Sequence, residues 1–248
     1  MMKEFDAVKV RKEIVEWIRE WFEENGPKAT AVIGISGGKD SSVTAALLKE
    51  ALGKDRVMGV MMPQGVQPDI DDSIRVVESL GIPYCTISVG TGVDAVLSEV
   101  AKALKPSRDA QINTPPRIRM TTLYAVAASM PNGGRVANTC NLSEDWIGYS
   151  TKYGDAAGDF SPISDLTVQE VRAIGDTYAE LPRELVHKTP SDGLCGQTDE
   201  DKIGFTYATL DRYIREGICE DEETKKKIDR MHELNLHKLR VIPKYQQN

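Results

Sequence analysis

The hydrophobic positions in the first 140 residues alternate between helical and strand periods. Apolar residues at helical spacing occupy positions 5–22, and Asn25-Gly26-Pro27 is expected to end that helix. Short apolar runs predict strands at residues 31–35, 56–62, 83–89 and 135–139, and helical patterns at 70–80, 93–104 and 121–130 lie between them. This alternation predicts an α/β fold, a doubly wound and mainly parallel sheet flanked by helices, formed by one domain of residues 1–248.

The last of these predicted helices, residues 121–130, has small and apolar residues on every side. Such a helix is typical of a buried core position or of a contact between subunits. The pattern alone leaves both interpretations open.

A glycine-rich turn directly follows the first predicted strand. Residues 36–42 read SGGKDSS, and a helical pattern begins within them. The glycines let the backbone approach an anion, and the start of the helix directs free N–H groups towards it. Asp40 is unexpected beside a phosphate and predicts a ligand for Mg²⁺ that bridges to phosphate oxygens. The spacing from Gly34 to Gly38-Lys39 is too short for a Walker A loop, and a glycine-rich turn without a ligand is the alternative.

Residues 113–120 form the first of four polar clusters in the second half of the chain. Pro115-Pro116 is followed there by Arg117 and Arg119. The prolines are expected to keep the chain extended, and the arginines to open the next helix. Because a helix start normally favours acidic residues, arginines there indicate an anionic partner or surface ion pairs.

The second cluster, residues 138–144, follows the fourth predicted strand. Its Glu144 offers a second carboxylate for a metal at the same end of the sheet as Asp40. Asn141 and Glu144 also have the spacing of a helix cap, which needs no ligand.

The last two clusters are residues 151–160 and 235–240. The first reads TKYGDAAGDF, and its charged side chains among glycines and alanines are typical of a loop close to a ligand or of a plain turn. The other reads NLHKLR, and its His237-Lys238 pair, taken alone, is typical of a protein surface.

Composition limits the partners. The 248 residues carry a formal net charge of −7, which argues against a surface for nucleic acid. No apolar stretch approaches the roughly 18 residues of a membrane span, and the N-terminus lacks the pattern of a signal peptide. The four cysteines are scattered and form no C-x-x-C pair. We therefore expect a cytoplasmic protein that binds neither nucleic acid nor a membrane.

Taken in order, these motifs resemble those of the ammonia-dependent NAD synthetase family, within the N-type ATP pyrophosphatases. The order is SGGKDS, R-x-R-M, Thr139 ahead of Ser143-Glu144, TKYGD-x-x-x-D, K-x-P-S at 188–191, GQTDE at 196–200, G-x-x-Y at 204–207, and HKLR. The resemblance covers nearly the whole chain. SGGKDS specifies only the superfamily, whereas TKYGD with the distal His-Lys pair specifies the activity.

The resemblance implies an adenine nucleotide alpha hydrolase-like fold and a ligase reaction. ATP would adenylate the carboxylate of deamido-NAD (nicotinic acid adenine dinucleotide) and release pyrophosphate, and ammonia would then displace AMP to give NAD. Mg²⁺ is the implied cofactor, ATP the co-substrate and a homodimer the implied assembly. No glutaminase domain is expected in this chain, so free ammonia, or ammonia from a separate protein, is the expected nitrogen source.

The resemblance also implies roles for individual residues. Those expected to bind ATP are Gly34, Ile35, Ser36, Gly37, Gly38, Lys39, Asp40, Ser41, Thr139 and Ser191. Those expected to bind deamido-NAD are Arg117, Lys152, Asp159, His237 and Lys238. Asp40 and Glu144 would hold the metal, and Lys188 would help to cover the phosphates. Asp159, as a buried carboxylate, would accept a proton from ammonium and complete a catalytic set with Asp40, Glu144 and Lys188.

Some positions depart from the family pattern. Val168 stands where many members carry lysine, and Arg172 is the candidate to replace that phosphate contact. Met61-Met62-Pro63 lacks an arginine that bacterial members often have before the proline, and Gln67 is the candidate to compensate.

Residues 190–202 are expected to form a mobile polar loop that closes over the site.

Two other classes of function remain as alternatives. Another ATP pyrophosphatase, such as a GMP synthetase or a tRNA-modifying enzyme, would share the glycine-rich loop, but TKYGD, the acidic charge and the missing C-x-x-C weigh against it. A non-catalytic adenine-nucleotide-binding module would need neither Glu144 as a second metal ligand nor the distal basic pair. Release of pyrophosphate from ATP would separate such a module from the enzymes.

Overall fold

The computed structural model describes residues 5–65, 70–188 and 198–246. Four parallel strands form its sheet: β1 (Thr30–Gly34), β2 (Val57–Met61), β3 (Tyr84–Thr86) and β4 (Gly134–Val136). Their spatial order is β3-β2-β1-β4, so the chain winds outward from β1 and then returns to pair β4 with the other side of β1. This confirms the predicted doubly wound sheet. Its topological switch point lies where β1 and β4 end, the position at which such sheets bind ligands.

Helices cover both faces of the sheet. They are α1 (Ala7–Asn25), α2 (Lys39–Leu52), α3 (Ile70–Leu80), α4 (Gly90–Ala103), α5 (Arg108–Ala128), α6 (Leu142–Trp146), α7 (Val168–Gly175), α8 (Arg183–Val186), α9 (Asp199–Ile203), α10 (Tyr207–Glu216) and α11 (Glu222–Leu239). The main apolar core lies between the sheet and the layer of α1, α2, α7 and α8, and a second core lies under α5. A third apolar cluster joins α6, α10 and α11. Because β1 is buried on both faces, its apolar run is nearly continuous.

The ends of α1 follow from its flanking residues. The Asp6 carboxylate accepts a hydrogen bond from the N–H of Lys9 at 3.0 Å and so caps the first turn. Gly26 ends the helix with a φ of 147°, a conformation that side chains rarely adopt. The predicted N-terminal helix and its stop are therefore confirmed.

Helix α5 shows that the expectation for residues 113–120 is wrong. Pro115-Pro116 lies inside the helix, and the two arginines follow in its middle rather than opening it. Each proline removes a backbone donor. The helix persists because Ser107 caps it, and because the side chains of Asn113 and Thr114 donate to carbonyls four residues earlier at 2.8 and 2.7 Å.

The second half of α5 is buried on one side only. Met120, Leu123 and Ala127 pack onto the sheet, whereas Tyr124 is 39% exposed. The exposed side contributes to an open apolar groove that Ile87 and Val126 also line. A helix buried on every side is therefore excluded here, and the interpretation as a subunit contact remains.

Residues 198–202 do not belong to a loop as predicted. The N–H of Asp201 donates to the Thr198 hydroxyl at 3.1 Å, and the N–H of Thr198 donates to the Asp201 carboxylate at 3.0 Å. This reciprocal cap begins α9, because it satisfies backbone donors at the start of the helix. Residues 190–197 of the predicted loop lie outside the described residues. Within the described ranges, the helices are too short or too polar to span a bilayer.

Candidate active site

The glycine-rich loop joins the end of β1 to the start of α2, at the switch point of the sheet. Gly37 has a φ of 78°, and a Cβ atom there would lie 2.7 Å from the Cβ of Asp72 and 2.9 Å from the backbone nitrogen of Ser73. The start of α3 therefore packs directly against the turn. Only glycine fits at this position, on grounds of both backbone conformation and space.

The serine hydroxyls of the loop bond to one another and to the backbone. The N–H of Ser36 donates to Ser41 Oγ at 3.2 Å, and the two serine oxygens are 3.1 Å apart. Ser42 donates to the carbonyl of Gly38 at 2.7 Å. These bonds hold the loop in a defined shape before any anion arrives.

The acidic side chains of two distant segments meet at one lysine. Lys39 Nζ lies 2.7 Å from Asp40 Oδ2 and 3.2 Å from Glu144 Oε1. The lysine side chain is only 3% exposed and each carboxylate only 19%. The predicted convergence of Asp40 and Glu144 is thus present in the structure, with the Lys39 ammonium as the cation between them.

Asn141 links the two acids a second time. Its side-chain oxygen accepts from the N–H of Glu144 at 3.0 Å, so it caps α6 as the spacing predicted. Its amide nitrogen donates to Asp40 Oδ1 at 3.0 Å. The cap and the candidate metal site are therefore one structure, and the two interpretations of this segment do not compete.

The protonation of this cluster reflects burial and mutual attraction. Burial raises the pKa of Glu144 to about 7, although the nearby Lys39 ammonium opposes that shift. Burial would lower the pKa of Lys39, but the charges of Asp40 and Glu144 outweigh burial and raise it. The lysine therefore stays charged, and Glu144 can gain a proton near neutral pH.

Two further predicted site residues lie around the loop: Thr139, expected to bind ATP, and Lys188, expected to help cover the phosphates. Thr139 follows β4 at the same edge of the sheet and is half-buried. Lys188 Nζ is 2.8 Å from Asp72 Oδ2, and Asp72 is the residue that packs against Gly37. Ser191 and Gln67 lie outside the described residues. Val168, a departure from the family pattern, is fully buried in the apolar cluster beneath α6.

Four of the five residues predicted to bind the dinucleotide, all except Asp159, meet at a second place. Arg117 Nε donates to the carbonyl of Lys152 at 3.2 Å, and Lys152 Nζ donates to the carbonyl of His237 at 2.8 Å. Lys238 Nζ donates to the carbonyls of Gly148 and Ser150 at 2.6 and 2.9 Å. Helix α5, the loop after α6 and the end of α11 are therefore held together. Burial lowers the pKa of Lys238, which is half-buried and not a surface lysine.

Asp159 does not have the burial that its predicted role as proton acceptor requires. Its side chain is exposed, and its oxygens accept from the N–H of Val136 at 2.7 Å and from the Tyr124 hydroxyl at 3.2 Å. A parallel bridge between Ala137 and Phe160 holds this segment beside β4 and leaves Asp159 at the surface. The expectation of a buried carboxylate at this position is wrong.

Sequence reasoning missed Asp145 and Tyr207. Burial raises the pKa of Asp145 to about 6, and Ser150 donates to this carboxylate at 3.3 Å. Tyr207 is fully buried next to Lys39. The only sequence signals were the position of Asp145 directly after Glu144, and the tyrosine of the G-x-x-Y motif.

Comparison with known proteins identifies the family. The family model described as NAD synthase matches residues 10–248. The chain belongs to the NAD synthase family. An NH(3)-dependent NAD(+) synthetase from Archaeoglobus fulgidus is 40% identical over 242 residues, which cover 95% of each chain. One from Alkaliphilus metalliredigens is 38% identical and covers 96% of this chain and 97% of its own.

Solved structures extend the comparison to the fold of the NAD synthase family. An NMN synthetase from Francisella tularensis superposes with a TM-score of 0.89 at 30% identity, covering 98% of this chain and all of its own. An NH3-dependent NAD synthetase from Campylobacter jejuni, in complex with nitrate, superposes with a TM-score of 0.77 at 26% identity and covers the same shares. The site described above therefore lies in an NAD synthase fold.

Proposed function

We propose that this chain forms NAD from deamido-NAD, ATP and ammonia, and releases AMP and pyrophosphate. The observation that carries the proposal is the convergence of Asp40 and Glu144 on the Lys39 ammonium, beside the glycine-rich loop. A simple nucleotide-binding module needs the loop but not the acidic pair. The cytoplasm is the proposed location, because ATP is available there.

The reaction has two steps with different demands. In the first, a carboxylate oxygen of deamido-NAD bonds to the α-phosphorus of ATP, and pyrophosphate leaves. Negative charge grows on the phosphate, and in this proposal the loop N–H groups, Lys39 and Lys188 stabilise it. In the second, ammonia bonds to the activated carbonyl carbon, the bond to AMP breaks, and a proton is lost.

The residues present fit a magnesium ion. Magnesium binds oxygen ligands and is commonly held by one or two carboxylates together with substrate phosphates. Asp40 and Glu144 supply two carboxylates that already approach one positive charge, the Lys39 ammonium. No larger group of acidic, histidine or cysteine side chains converges among the described residues, so phosphate oxygens and water would complete the coordination. When bound, the ion would neutralise charge on the polyphosphate during adenylation.

The remaining site residues form the proposed pocket for the dinucleotide. Arg117, Lys152, His237 and Lys238 meet where α5, the loop after α6 and the end of α11 touch. The open apolar face of α5 supports a homodimer in which that face is covered.

The proposed function is tested by supplying ATP, Mg²⁺ and ammonium with one of two acids. We expect NAD and pyrophosphate from deamido-NAD, since the enzyme would activate the nicotinate carboxylate. Because one structural neighbour is an NMN synthetase, nicotinic acid mononucleotide is the second acid, and its amide is the product to measure. Pyrophosphate release with neither acid converted would contradict the proposal, and a strong preference for the mononucleotide would reassign the substrate.

Replacing Lys238 with methionine is expected to raise KM for deamido-NAD more than KM for ATP. Lys238 holds the carbonyls of Gly148 and Ser150 and so shapes the proposed dinucleotide pocket. Losing these charge-assisted bonds is expected to raise KM about tenfold. Steady-state kinetics with each substrate varied in turn measures the two constants.

The matched control is Lys226→Met, because Lys226 is an exposed lysine of the same helix. It should leave both constants unchanged. An equal rise of both constants in the Lys238 variant would show that this residue does not serve the dinucleotide alone.

A further inference from the structure

Tyr207 carries a buried hydroxyl that the roles assigned above do not use. It is the first residue of α10, and only 1% of it is exposed. Within the part of the chain that the structure describes, its hydroxyl oxygen has no hydrogen-bond partner. Burying a hydroxyl without a partner costs free energy, so this one requires an explanation.

Packing explains the ring of Tyr207 but not its oxygen. The ring lies in the apolar cluster with Ile147, Val168 and Leu210, beneath α6. The backbone N–H of Tyr207 donates to Glu200 Oε1 at 2.8 Å, which fixes the start of the helix. A phenylalanine would fill the same space without leaving a polar atom unpaired.

The Tyr207 ring lies beside the lysine that joins the acidic pair. Lys39 Nζ is 6.0 Å from the centre of the Tyr207 ring, and this nitrogen contacts both Asp40 and Glu144. Burial raises the pKa of the phenol, and among the neighbouring charges Glu144 contributes most to that shift. Because the same Lys39 nitrogen is 3.2 Å from Glu144 Oε1, the phenol and this carboxylate are neighbours of one ammonium.

Binding of a triphosphate changes what Glu144 needs. Lys39 belongs to the anion-binding loop, so phosphate oxygens would compete with the two carboxylates for its ammonium. When that ammonium leaves Glu144, a carboxylate only 19% exposed loses a donor. The Tyr207 phenol is a nearby donor that carries no charge and lacks another partner among the described residues.

We propose that Tyr207 is a positioning residue whose hydroxyl donates a hydrogen bond to the Glu144 carboxylate when ATP draws Lys39 away. The inference rests on the proposed function, since it requires ATP in the glycine-rich loop. The bond would orient Glu144 towards the divalent ion, as hydrogen bonds from surrounding residues orient metal ligands in general.

Tyr207→Phe tests this role because it removes one oxygen and keeps the ring. We expect the melting temperature of the ligand-free protein to stay the same or rise, since an unpaired hydroxyl is removed. We expect kcat/KM for ATP to fall by about tenfold or more, and the Mg²⁺ concentration for half-maximal rate to rise.

The matched control is Tyr213→Phe on the same helix. The Tyr213 hydroxyl donates to Asp229 Oδ1 at 2.6 Å, so this variant loses a bond that is already formed. It should show the opposite pattern, with a lower melting temperature and unchanged kinetics. A merely structural role for Tyr207 would make the two variants alike.

A second measurement does not depend on turnover. The rise in melting temperature on adding ATP with Mg²⁺ reports binding, and it should be smaller in Tyr207→Phe than in the wild type. Equal rises together with equal kcat/KM would overturn the inference, as would a ligand-free destabilisation as large as that of Tyr213→Phe. If the wild type is stabilised by ATP and Mg²⁺ but makes no NAD, the proposed function fails, and the comparison of the variants still decides the role of Tyr207.

Discussion

Replacing Asp40 with asparagine is expected to lower the rate of NAD formation on the order of 10³-fold. The amide has the same size, and its oxygen can still accept the hydrogen bond from Asn141. The asparagine lacks the negative charge with which Asp40, together with Glu144, attracts the Lys39 ammonium in the structure and would bind a metal ion. Initial rates of pyrophosphate release and of NAD formation, at saturating ATP and Mg²⁺, measure the loss.

The control for this variant is Asp71→Asn. Asp71 is an exposed aspartate in the first turn of α3, so its replacement changes the charge of the protein equally. This control should keep the wild-type rate. A near-normal rate in Asp40→Asn would refute the proposed role of Asp40 as a metal ligand.

Replacing Lys39 with methionine is expected to destabilise the folded protein by about 3–5 kcal/mol at about pH 8. The change leaves Asp40 and Glu144 close together, mostly buried and without the ammonium that neutralises them. Urea-induced unfolding gives the free energy of unfolding for the variant and for the wild type.

The destabilisation should shrink as the pH falls. Burial already raises the pKa of Glu144 in the folded protein to about 7 from an ordinary value of 4.5. Between these values the folded state binds more protons than the unfolded state, so this group favours folding at low pH and loses that effect as the pH rises. Without Lys39, which opposes the shift, the dependence should be steeper. A loss of stability that is the same at about pH 8 and about pH 5.5 would contradict this explanation.

Lys49→Met is the matched control for Lys39→Met. Lys49 pairs with Glu180 at 3.0 Å, and both side chains are far more exposed than those around Lys39. Its replacement should change the free energy of unfolding by less than about 1 kcal/mol at either pH.

The central strands β1 and β2 were predictable from sequence because they are buried on both faces, but the ends of the strands were not. β3 covers only Tyr84–Thr86, whereas the apolar pattern extends to Val89. The N–H groups of Ile87 and Val89 still donate to carbonyls at the end of β2 and just beyond it, at 2.9 and 3.0 Å. Apolar spacing therefore detects the pairing region, and the strand ends where the regular ladder gives way to single bonds.

Helix α5 shows where local propensity fails. Pro115-Pro116 predicts an extended segment because proline lacks a donor and restricts the residue before it. The cap at Ser107, the side-chain bonds before the prolines and the packing of Met120 and Leu123 together outweigh that local preference. The cap and the side-chain bonds are local, since they join residues three or four apart. The packing of Met120 and Leu123 is a tertiary contact, which a pattern of adjacent residues does not contain.

The candidate site was predictable only as a set of motifs. Sequence order placed Asp40 and Glu144 at the same end of the sheet, because both follow neighbouring parallel strands. It could not show that Lys39 lies between them, or that Asn141 bonds to Asp40, since these contacts join segments about 100 residues apart. The exposure of Asp159 and the burial of Tyr207 likewise depend on packing and not on spacing.

The pairing of β1 with β4 sets Val32 opposite Val136. A slip of one residue would slide β4 by about 3.3 Å and turn its side chains to the opposite face. Glu144 follows β4, so such a slip would carry it out of reach of any cation held by Asp40. Anyone wishing to transplant this chemistry to another scaffold would therefore need to move the two paired strands with both of their loops as a unit, because neither peptide motif has the required geometry alone.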